Sequence, residues 1–390
     1  MYQSKFQGGI MKKSNKSKVL LAGLTAALLG ASTFSAVGAE SAASVAQKGL
    51  AALAKGVYST GPNGEKAAAA SSLTFTPAEL TKLKGMNATA AIAFHLTSDW
   101  TSGQQAGLTK RFTELGIKIV GVTQADFKAD VQVSQIQTLM AKKPNILVSI
   151  PVDGQATAEA YKAAAAAGAK IVFMDNTAAG LTVGKDYVSV VSADNYANGA
   201  ASAYLLGREL NGKGTIALIH HAADFWVTKQ RWNGFKDTIT KKFPGIKIVE
   251  DQGISGPDFA GDAQKAATAI LTKNPKISAI WAVWDTPAEG VMAALRDAGN
   301  TTTKIATQDL GANVAISLAK KGPVIGLGAQ RPYDAGVTEA NLAAYALLGK
   351  KAPAYIAMPA LAVDHAGVLK AWQTVYSAPA PADLKASFKK

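Results

Sequence analysis

The sequence predicts an α/β protein made of two lobes, each built around a doubly wound parallel sheet. Three observations support this fold class: short apolar runs alternate with helical patterns, the alternation occurs twice, and 390 residues exceed the length of an ordinary single domain. Short apolar runs between helices are typical of parallel strands that crossover helices cover on both faces. The first series covers residues 88–193 and the second covers residues 194–310. We therefore expect two sheets rather than one large sheet.

The chain opens with a segment that has the pattern of a signal peptide. After Met11 come four lysines, then a short apolar stretch, then the small residues Val37, Gly38 and Ala39. This order of a positive start, an apolar core and a small-residue site predicts export with cleavage near Ala39. The apolar stretch is too short for a membrane anchor. We expect residues 1–39 to be the signal peptide of an exported protein, with Met1 and Met11 both open as the start.

Residues 40–87 form a second segment, an N-terminal extension with a short helix. Residues 40–75 are rich in Ala, Ser and Gly and show little periodicity, so we expect them to be loosely packed. The short helix begins after Thr76, which can cap it, because Pro77 is favoured in a first helical turn. We expect this helix to end near Gly85.

The strand–helix alternation starts after this extension and continues along the rest of the chain. The expected strands are 90–94, 118–122, 146–150, 170–174, 215–219, 247–250, 279–283 and 304–306. The expected helices of the first series are 102–115, 130–142 and 156–167, and further helices separate the later strands.

Composition and charge exclude several classes of protein. The apolar fraction is 48% and charged residues make up only 17%, which is typical of a well-buried globular protein. The absence of cysteine excludes disulfides, thiolate nucleophiles and Cys-ligated metals, and four histidines do not favour a multi-histidine site. Of the 41 basic residues, five lie in residues 1–39 and the others are dispersed, so the net charge of +14 does not indicate a nucleic-acid partner.

Polar and aromatic residues follow the expected strands directly. In doubly wound sheets, ligands bind beyond the carboxyl ends of the strands, so these residues are the candidates for a binding site. The candidates at these positions are Ser98, Asp99, Trp100, Asp175, Asn176, Trp226, Trp284, Asp285 and Asp309.

These residue types suit a polyhydroxylated ligand. Aromatic rings cover the flat C–H faces of a sugar, while carboxylates and amides hydrogen-bond its hydroxyls. Two alternatives remain at this point: the tryptophans could pack in the core, and two carboxylates could act as the acid and base of a glycosidase. The chain shows no phosphate loop, no dinucleotide fingerprint and no nucleophile arrangement. We therefore expect no catalytic residues, no metal and no cofactor.

Several motifs resemble those of one family. They are Phe173-Met174-Asp175-Asn176, Ser192-Ala193-Asp194-Asn195, Arg231-Trp232-Asn233-Gly234-Phe235, Ala282-Val283-Trp284-Asp285, Gln308-Asp309-Leu310-Gly311 and Ala329-Gln330. From Ala90 to its C-terminus, the chain resembles the sugar-binding periplasmic proteins of the ribose/galactose-binding type, which have the type I solute-binding fold.

The resemblance implies roles for individual residues. Asp175, Arg231, Asp309 and Gln330 would hydrogen-bond the ligand, and Ser98 and Trp100 would occupy the loop after the first strand. The chain departs from the family where Trp284 and Ile150 replace Asn, which makes the pocket more aromatic and puts ribose itself in doubt.

The resemblance also implies two lobes joined by a three-strand hinge. The N-terminal lobe would be residues 88–193 plus 331–357, and the C-terminal lobe and tail would be residues 194–330 plus 358–390. The lobes would close on a ligand by hinge motion.

The function that follows is the substrate-binding component of an ABC transporter. It would capture a small neutral sugar or sugar alcohol and deliver it, as a monomer, to the permease in the inner membrane. A ligand-binding partner of a chemoreceptor or sensor kinase is the alternative, and a carbohydrate-active enzyme is a more distant one. A repressor of the same fold would need a DNA-binding segment where the signal peptide stands. Pyranose, furanose and linear ligands all remain open.

Overall fold

The structure is a computed structural model that describes residues 40–389. The expected signal peptide, residues 1–39, lies outside the described residues. Within residues 40–389, no helix is both long and apolar enough to cross a membrane.

Strands and helices alternate through almost all of the described chain. Up to residue 194 the elements are α1 (Ala42–Leu53), α2 (Pro77–Gly85), β1 (Thr89–Phe94), α3 (Asp99–Leu115), β2 (Lys118–Gln124), α4 (Ala129–Met140), β3 (Ile146–Ser149), α5 (Ala158–Ala166), β4 (Lys170–Met174) and β5 (Ser189–Ala193). From there they are α6 (Asn195–Glu209), β6 (Lys213–His221), α7 (Trp226–Lys242), β7 (Gly245–Ile254), α8 (Phe259–Lys273), β8 (Ala279–Ala282), α9 (Asp285–Asp297), β9 (Lys304–Gln308), α10 (Ala312–Ala319), β10 (Val324–Ala329), α11 (Pro332–Leu347), β11 (Tyr355–Met358), β12 (Leu361–Asp364), α12 (Val368–Tyr376) and α13 (Ala382–Ser387).

The strands form two six-stranded sheets with the same topology. The order is β2-β1-β3-β4-β5-β11 in the first sheet and β7-β6-β8-β9-β10-β12 in the second. All pairs are parallel except β10 with β12. Central strands such as β3 and β8 are buried along their whole length, because helices cover both faces. The prediction of two doubly wound parallel-sheet lobes is confirmed.

The chain passes between the two sheets three times, at residues 193–195, 329–332 and 358–361. The first crossing joins β5 to α6, the second joins β10 to α11, and the third joins β11 to β12. Helix α11 packs on α3 of the first lobe, so the chain returns there before its last crossing. These segments form the predicted three-strand hinge.

Residues 40–75, which we expected to be loosely packed, include a helix that packs closely on the second lobe. Helix α1 packs against α6, and Ala46 is completely buried in that contact. A Cβ atom added at Gly49 would lie 2.1 Å from the Tyr204 ring, so the helices approach as closely as they do only because the residues between them are small. The small residues at this contact therefore permit close packing, while most other side chains of residues 40–75 are exposed or half-buried.

Candidate ligand-binding site

A cavity of about 80 Å³ lies between the lobes, where the carboxyl ends of both sheets face each other. At 10–15 Å³ per water, this space holds about six waters, whose liquid volume is close to that of a single sugar ring. The cavity is lined by His95, Leu96, Ser98, Trp100, Phe127, Ile150, Asp175, His221, Phe225, Val227, Thr228, Arg231, Trp284, Asp285, Thr286, Asp309 and Gln330.

Two aspartates occupy equivalent positions in the two lobes. Asp175 follows β4 and Asp309 follows β9, and both have left-handed backbones, with φ of 53° and 61°. The amide of each donates to the next strand of its sheet, Asp175 N to Val191 O at 2.8 Å and Asp309 N to Gly328 O at 3.0 Å. Asp tolerates the left-handed region better than most residues do. This turn stops each strand and directs its carboxylate into the cavity.

A chain of side-chain hydrogen bonds connects these two aspartates across the hinge. Ser192 Oγ donates to Asp175 Oδ1 at 2.7 Å, and Asn195 Nδ2 donates to Ser192 Oγ at 2.9 Å. Arg231 Nε donates to Asn195 Oδ1 at 2.9 Å, and its NH1 group donates to Asp309 Oδ2 at 2.9 Å. The Arg231 side chain is only 4% exposed, so this ion pair is largely removed from solvent.

Burial raises the pKa of two carboxyl groups that line the cavity, Asp175 and Asp285. Burial raises the pKa of Asp175 to about 6, although the hydrogen bond from Ser192 opposes this rise. Burial, and then the neighbouring charge of Asp309, raises the pKa of Asp285 to about 8. The Asp285 carboxyl is therefore mainly protonated at neutral pH, so it can donate a hydrogen bond as well as accept one.

Aromatic rings form the rest of the wall. Trp284 contacts His221, with ring centroids 5.7 Å apart, and Trp100 contacts His95 at 5.9 Å. Phe127 reaches from the first lobe to Phe259 of the second at 5.1 Å. Burial lowers the pKa of His95 to about 3, and burial with the charge of His220 lowers that of His221 to about 4. Both imidazoles are therefore neutral.

Some buried polar atoms of these cavity-lining residues have no partner within the protein. They are Trp100 Nε1, His95 Nδ1 and Asp309 Oδ1. Because buried polar groups in folded proteins are nearly always hydrogen-bonded, these atoms are available to a bound molecule. The indole nitrogen donates and the carboxylate oxygen accepts, so the site suits a group that can do both, such as a hydroxyl.

Most of the residues that the sequence predicted for the site come together here. Those that line the cavity are Ser98, Trp100, Asp175, Arg231, Trp284, Asp285, Asp309 and Gln330. The other three lie elsewhere. Asp99 Oδ2 accepts from Ala312 N of the opposite lobe at 2.7 Å, Asn176 is buried beside the cavity, and Trp226 packs on Tyr355 of the first lobe at 5.8 Å.

Sequence reasoning did not select several cavity residues, chiefly His95, Phe127, His221, Phe225 and Thr228. His95 directly follows β1, His221 is the last residue of β6 and Phe225 lies four residues beyond it, so the ends of these strands point to all three. Phe127 has a weaker signal, because β2 extends to Gln124 rather than ending at Val122 and the turn after it is short.

Known proteins share this architecture. Residues 90–351 match the family model described as the periplasmic binding protein domain. The ribose import binding protein of Bacillus subtilis is 25% identical over 256 residues, which is 65% of this chain and 79% of that protein.

Two solved structures of ABC transporter solute-binding proteins from Agrobacterium vitis superpose on this chain. One, bound with α-D-tagatopyranose, has a TM-score of 0.68 at 24% identity and covers 74% of this chain and 99% of that one. The other, with bound allitol, has a TM-score of 0.64 at 25% identity and covers 73% of this chain and 98% of that one. Because the family model matches more than half of its residues, the chain belongs to the periplasmic binding protein family.

Proposed function

We propose that this chain is the substrate-binding component of an ABC importer and that it captures a small neutral sugar or sugar alcohol between its lobes. The observation that carries the proposal is the cavity itself, in which carboxylates and one guanidinium stand opposite aromatic rings. Hydroxyls bind to the first group and C–H faces pack on the second. The ligand-binding residues that we propose are Ser98, Trp100, Asp175, Arg231, Trp284, Asp285, Asp309 and Gln330.

The charges of the cavity favour a neutral solute. Arg231 pairs with Asp309, Asp285 is mainly protonated at neutral pH, and both histidines are neutral. A carboxylate ligand would meet the remaining charge of Asp175 without a free cation to receive it. The expectation of a neutral solute thus rests on the balance of charges within the cavity and not on the number of acids.

Two relatives indicate how wide the ligand class is. One is named a ribose import protein, and the other was solved with allitol, a linear polyol. Both ligands are neutral and rich in hydroxyls, which supports the same class for this chain and leaves ring and linear forms open.

We propose that the protein works in the periplasm as a monomer, after cleavage near Ala39, and hands its ligand to a membrane permease without chemical change. The N-terminal sequence of the exported form tests the proposed cleavage, and we expect it to begin near Glu40. The bodies that we expect to move are residues 88–193 with 331–357 and residues 194–330 with 358–390.

A thermal-shift screen against pentoses, hexoses, polyols, amino acids and amines tests the ligand class. A solute at a hundredfold excess over its dissociation constant adds about 2.7 kcal/mol to the free energy of unfolding and so raises the melting temperature. We expect the positive results among ribose-like sugars and polyols such as allitol. A shift given only by amino acids or amines would contradict the proposal, and turnover of a sugar by the pure protein would revive the enzyme alternative.

A further inference from the structure

We propose that residues 54–68, called the brace below, form a fourth connection between the lobes and oppose their separation. The brace lies before residue 90, where the family match begins, so the three-strand hinge does not include it. The inference concerns the motion of the lobes and does not depend on which solute the cavity binds.

The first anchor of the brace is on the second lobe. Helix α1, which leads directly into the brace, packs on α6 through the buried Ala46 and through Gly49 at the Tyr204 ring. Ala46 belongs to the hydrophobic cluster that also contains Phe235 and Trp281 of that lobe. The start of the brace therefore moves with the second lobe.

The second anchor is at the hinge. Asp194, which is completely buried, lies at the first crossing and caps α6. Its carboxylate accepts from Tyr58 N at 2.6 Å, from Ser59 N at 2.9 Å and from Ser59 Oγ at 2.9 Å. Ser59 Oγ in turn accepts from Tyr196 N at 3.0 Å. The Asp194 carboxylate thus holds the brace to the first crossing. Hydrogen bonds to a buried carboxylate are stronger than hydrogen bonds between neutral groups.

The third anchor is on the first lobe. Ala68 N donates to Tyr355 O of β11 at 3.0 Å, and the chain continues to Leu73, which is buried in the core of that lobe. Next to it, Thr74 N donates to Tyr345 Oη at 2.6 Å, and Tyr345 Oη donates to Thr74 O at 2.8 Å. The end of the brace therefore moves with the first lobe.

A small hairpin shortens the path of the brace between the second and third anchors. Thr60 and Lys66 form an antiparallel bridge, and Gly61 N donates to Glu65 O at 2.8 Å. The turn is closed further by Asn63 N, which donates to Glu65 Oε2 at 2.8 Å. Because the hairpin brings residues 60 and 66 together, the path from Asp194 to β11 is much shorter than the number of residues suggests.

The consequence is a mechanical limit on opening. Between its anchors the brace borders a groove of about 750 Å³ beside α11. The hairpin itself contacts both lobes, because Asn63 Nδ2 donates to Tyr187 Oη of the first lobe at 3.4 Å and Gln230 Nε2 of the second lobe donates to Thr60 O at 3.4 Å. When the lobes rotate apart about the three crossings, the brace must either stay within its reach or break the hairpin and the bonds to Asp194. The brace therefore favours closed and partly open forms over widely open ones.

The test is to cut the brace in the folded protein. A protease recognition sequence is inserted between Asn63 and Gly64, both exposed at the tip of the hairpin, and the same preparation is measured before and after cleavage. Since the chain has no cysteine, spin labels can be placed through Lys128→Cys, just before α4 in the first lobe, and Lys265→Cys on α8 in the second; both residues are exposed. Pulsed electron paramagnetic resonance gives the distance between them.

We expect cleavage to move the label distances of the ligand-free protein to longer values and to raise its radius of gyration. Ser59→Ala, which removes one hydroxyl from Asp194, should increase the ratio of wide to narrow label distances about fivefold, as expected for the loss of about one buried hydrogen bond. Ser71→Ala, at an exposed serine just beyond the brace, is the matched control and should leave the distances unchanged.

Unchanged distances after both cleavage and Ser59→Ala, in protein with native circular dichroism, would overturn the proposal. Neither measurement requires a ligand, so a negative sugar screen would contradict the proposed function without affecting this test.

Discussion

Asp175, Ser192, Asn195, Arg231 and Asp309 act as one unit at the floor of the cavity. Each is held by the next through the hydrogen bonds described above, and the unit extends from the first lobe through the hinge to the second. If the proposed site is correct, such a network orients both carboxylates before a ligand arrives and so lowers the entropy cost of binding. Because every member is buried, the loss of one member leaves others without partners.

Arg231→Ala and Asp309→Ala test this unit directly. Each substitution leaves a buried partner unsatisfied, at a cost of about 1–3 kcal/mol, so affinity for the best solute of the screen should fall at least about tenfold. We expect the fold to survive, because both side chains line a cleft. Titration calorimetry measures the affinity and circular dichroism the fold.

Lys229→Ala is the matched control for these variants. Lys229 lies on the same helix, two residues before Arg231, but its side chain is 58% exposed and pairs with the exposed Asp224. The Lys229→Ala variant should bind the solute with unchanged affinity. Normal binding by both Arg231→Ala and Asp309→Ala would show that the site is assigned to the wrong residues, even though the family is established.

The strand-end rule predicts the acids of the site but not every aromatic residue. Asp175 and Asp309 follow β4 and β9 immediately, and Asp285 begins the helix after β8, so the topology brings all three to the cavity. Trp226 is at the start of α7, where a small rotation of the helix decides which lobe its ring contacts, and the structure directs it to Tyr355. Sequence patterns give the position of such a side chain along the chain, but not its direction.

The short turn after β2 makes an apolar contact between the two lobes. Asp126 and Phe127 are both left-handed, with φ of 47° and 56°, and Phe127 N donates to His95 O at 2.7 Å. This unusual backbone projects Phe127 from the first lobe into the hydrophobic cluster of the second, next to Phe259. The turn therefore acts as a latch between the lobes.

Phe127→Ala should open this latch. Loss of the ring removes apolar contact that exists only when the lobes are closed, so we expect faster release of the bound solute and an affinity lower by about tenfold, which corresponds to about 1.4 kcal/mol. Stopped-flow dissociation measures the release. Val122→Ala, at an exposed residue of β2, is the control and should have no effect.

A second variant separates the latch from direct contact with the solute. Phe259 packs on Phe127 and does not line the cavity, although its ring also contacts Trp284 with centroids 4.8 Å apart. Phe259→Leu should also speed release. If the two residues act through each other, the double variant will show less than the sum of the two effects. Strictly additive effects would indicate that Phe127 acts only by touching the solute.

The repeated strand–helix pattern predicts eight of the twelve strands in residues 40–389, four in each sheet, because buried parallel strands have a distinct apolar signature. The strands that it does not predict are the four that border the hinge crossings: β5, β10, β11 and β12. The N-terminal segment was not predictable in the same way. Its packing depends on small residues, Ala46 and Gly49, that fit against α6, and small residues carry no periodic signal of burial. Its bonds to Asp194 join residues more than 130 positions apart, which no local pattern reveals.

The described contacts between the lobes belong to a closed form, and closure should depend on ligand. Asp99 Oδ2 accepts from Ala312 N, the first residue of α10, at 2.7 Å, and Phe127 contacts Phe259 across the same cleft. These few contacts on the cleft side are small beside the cores of the lobes, so a bound solute that touches both lobes adds a decisive share of the closing free energy.

We expect small-angle scattering to give a smaller radius of gyration with saturating solute than without it. Asp99→Ala should reduce the difference by populating open forms even with solute, whereas Asp130→Ala, at an exposed acid of α4, should preserve it. A radius of gyration that does not respond to a solute of proven high affinity would contradict hinge closure.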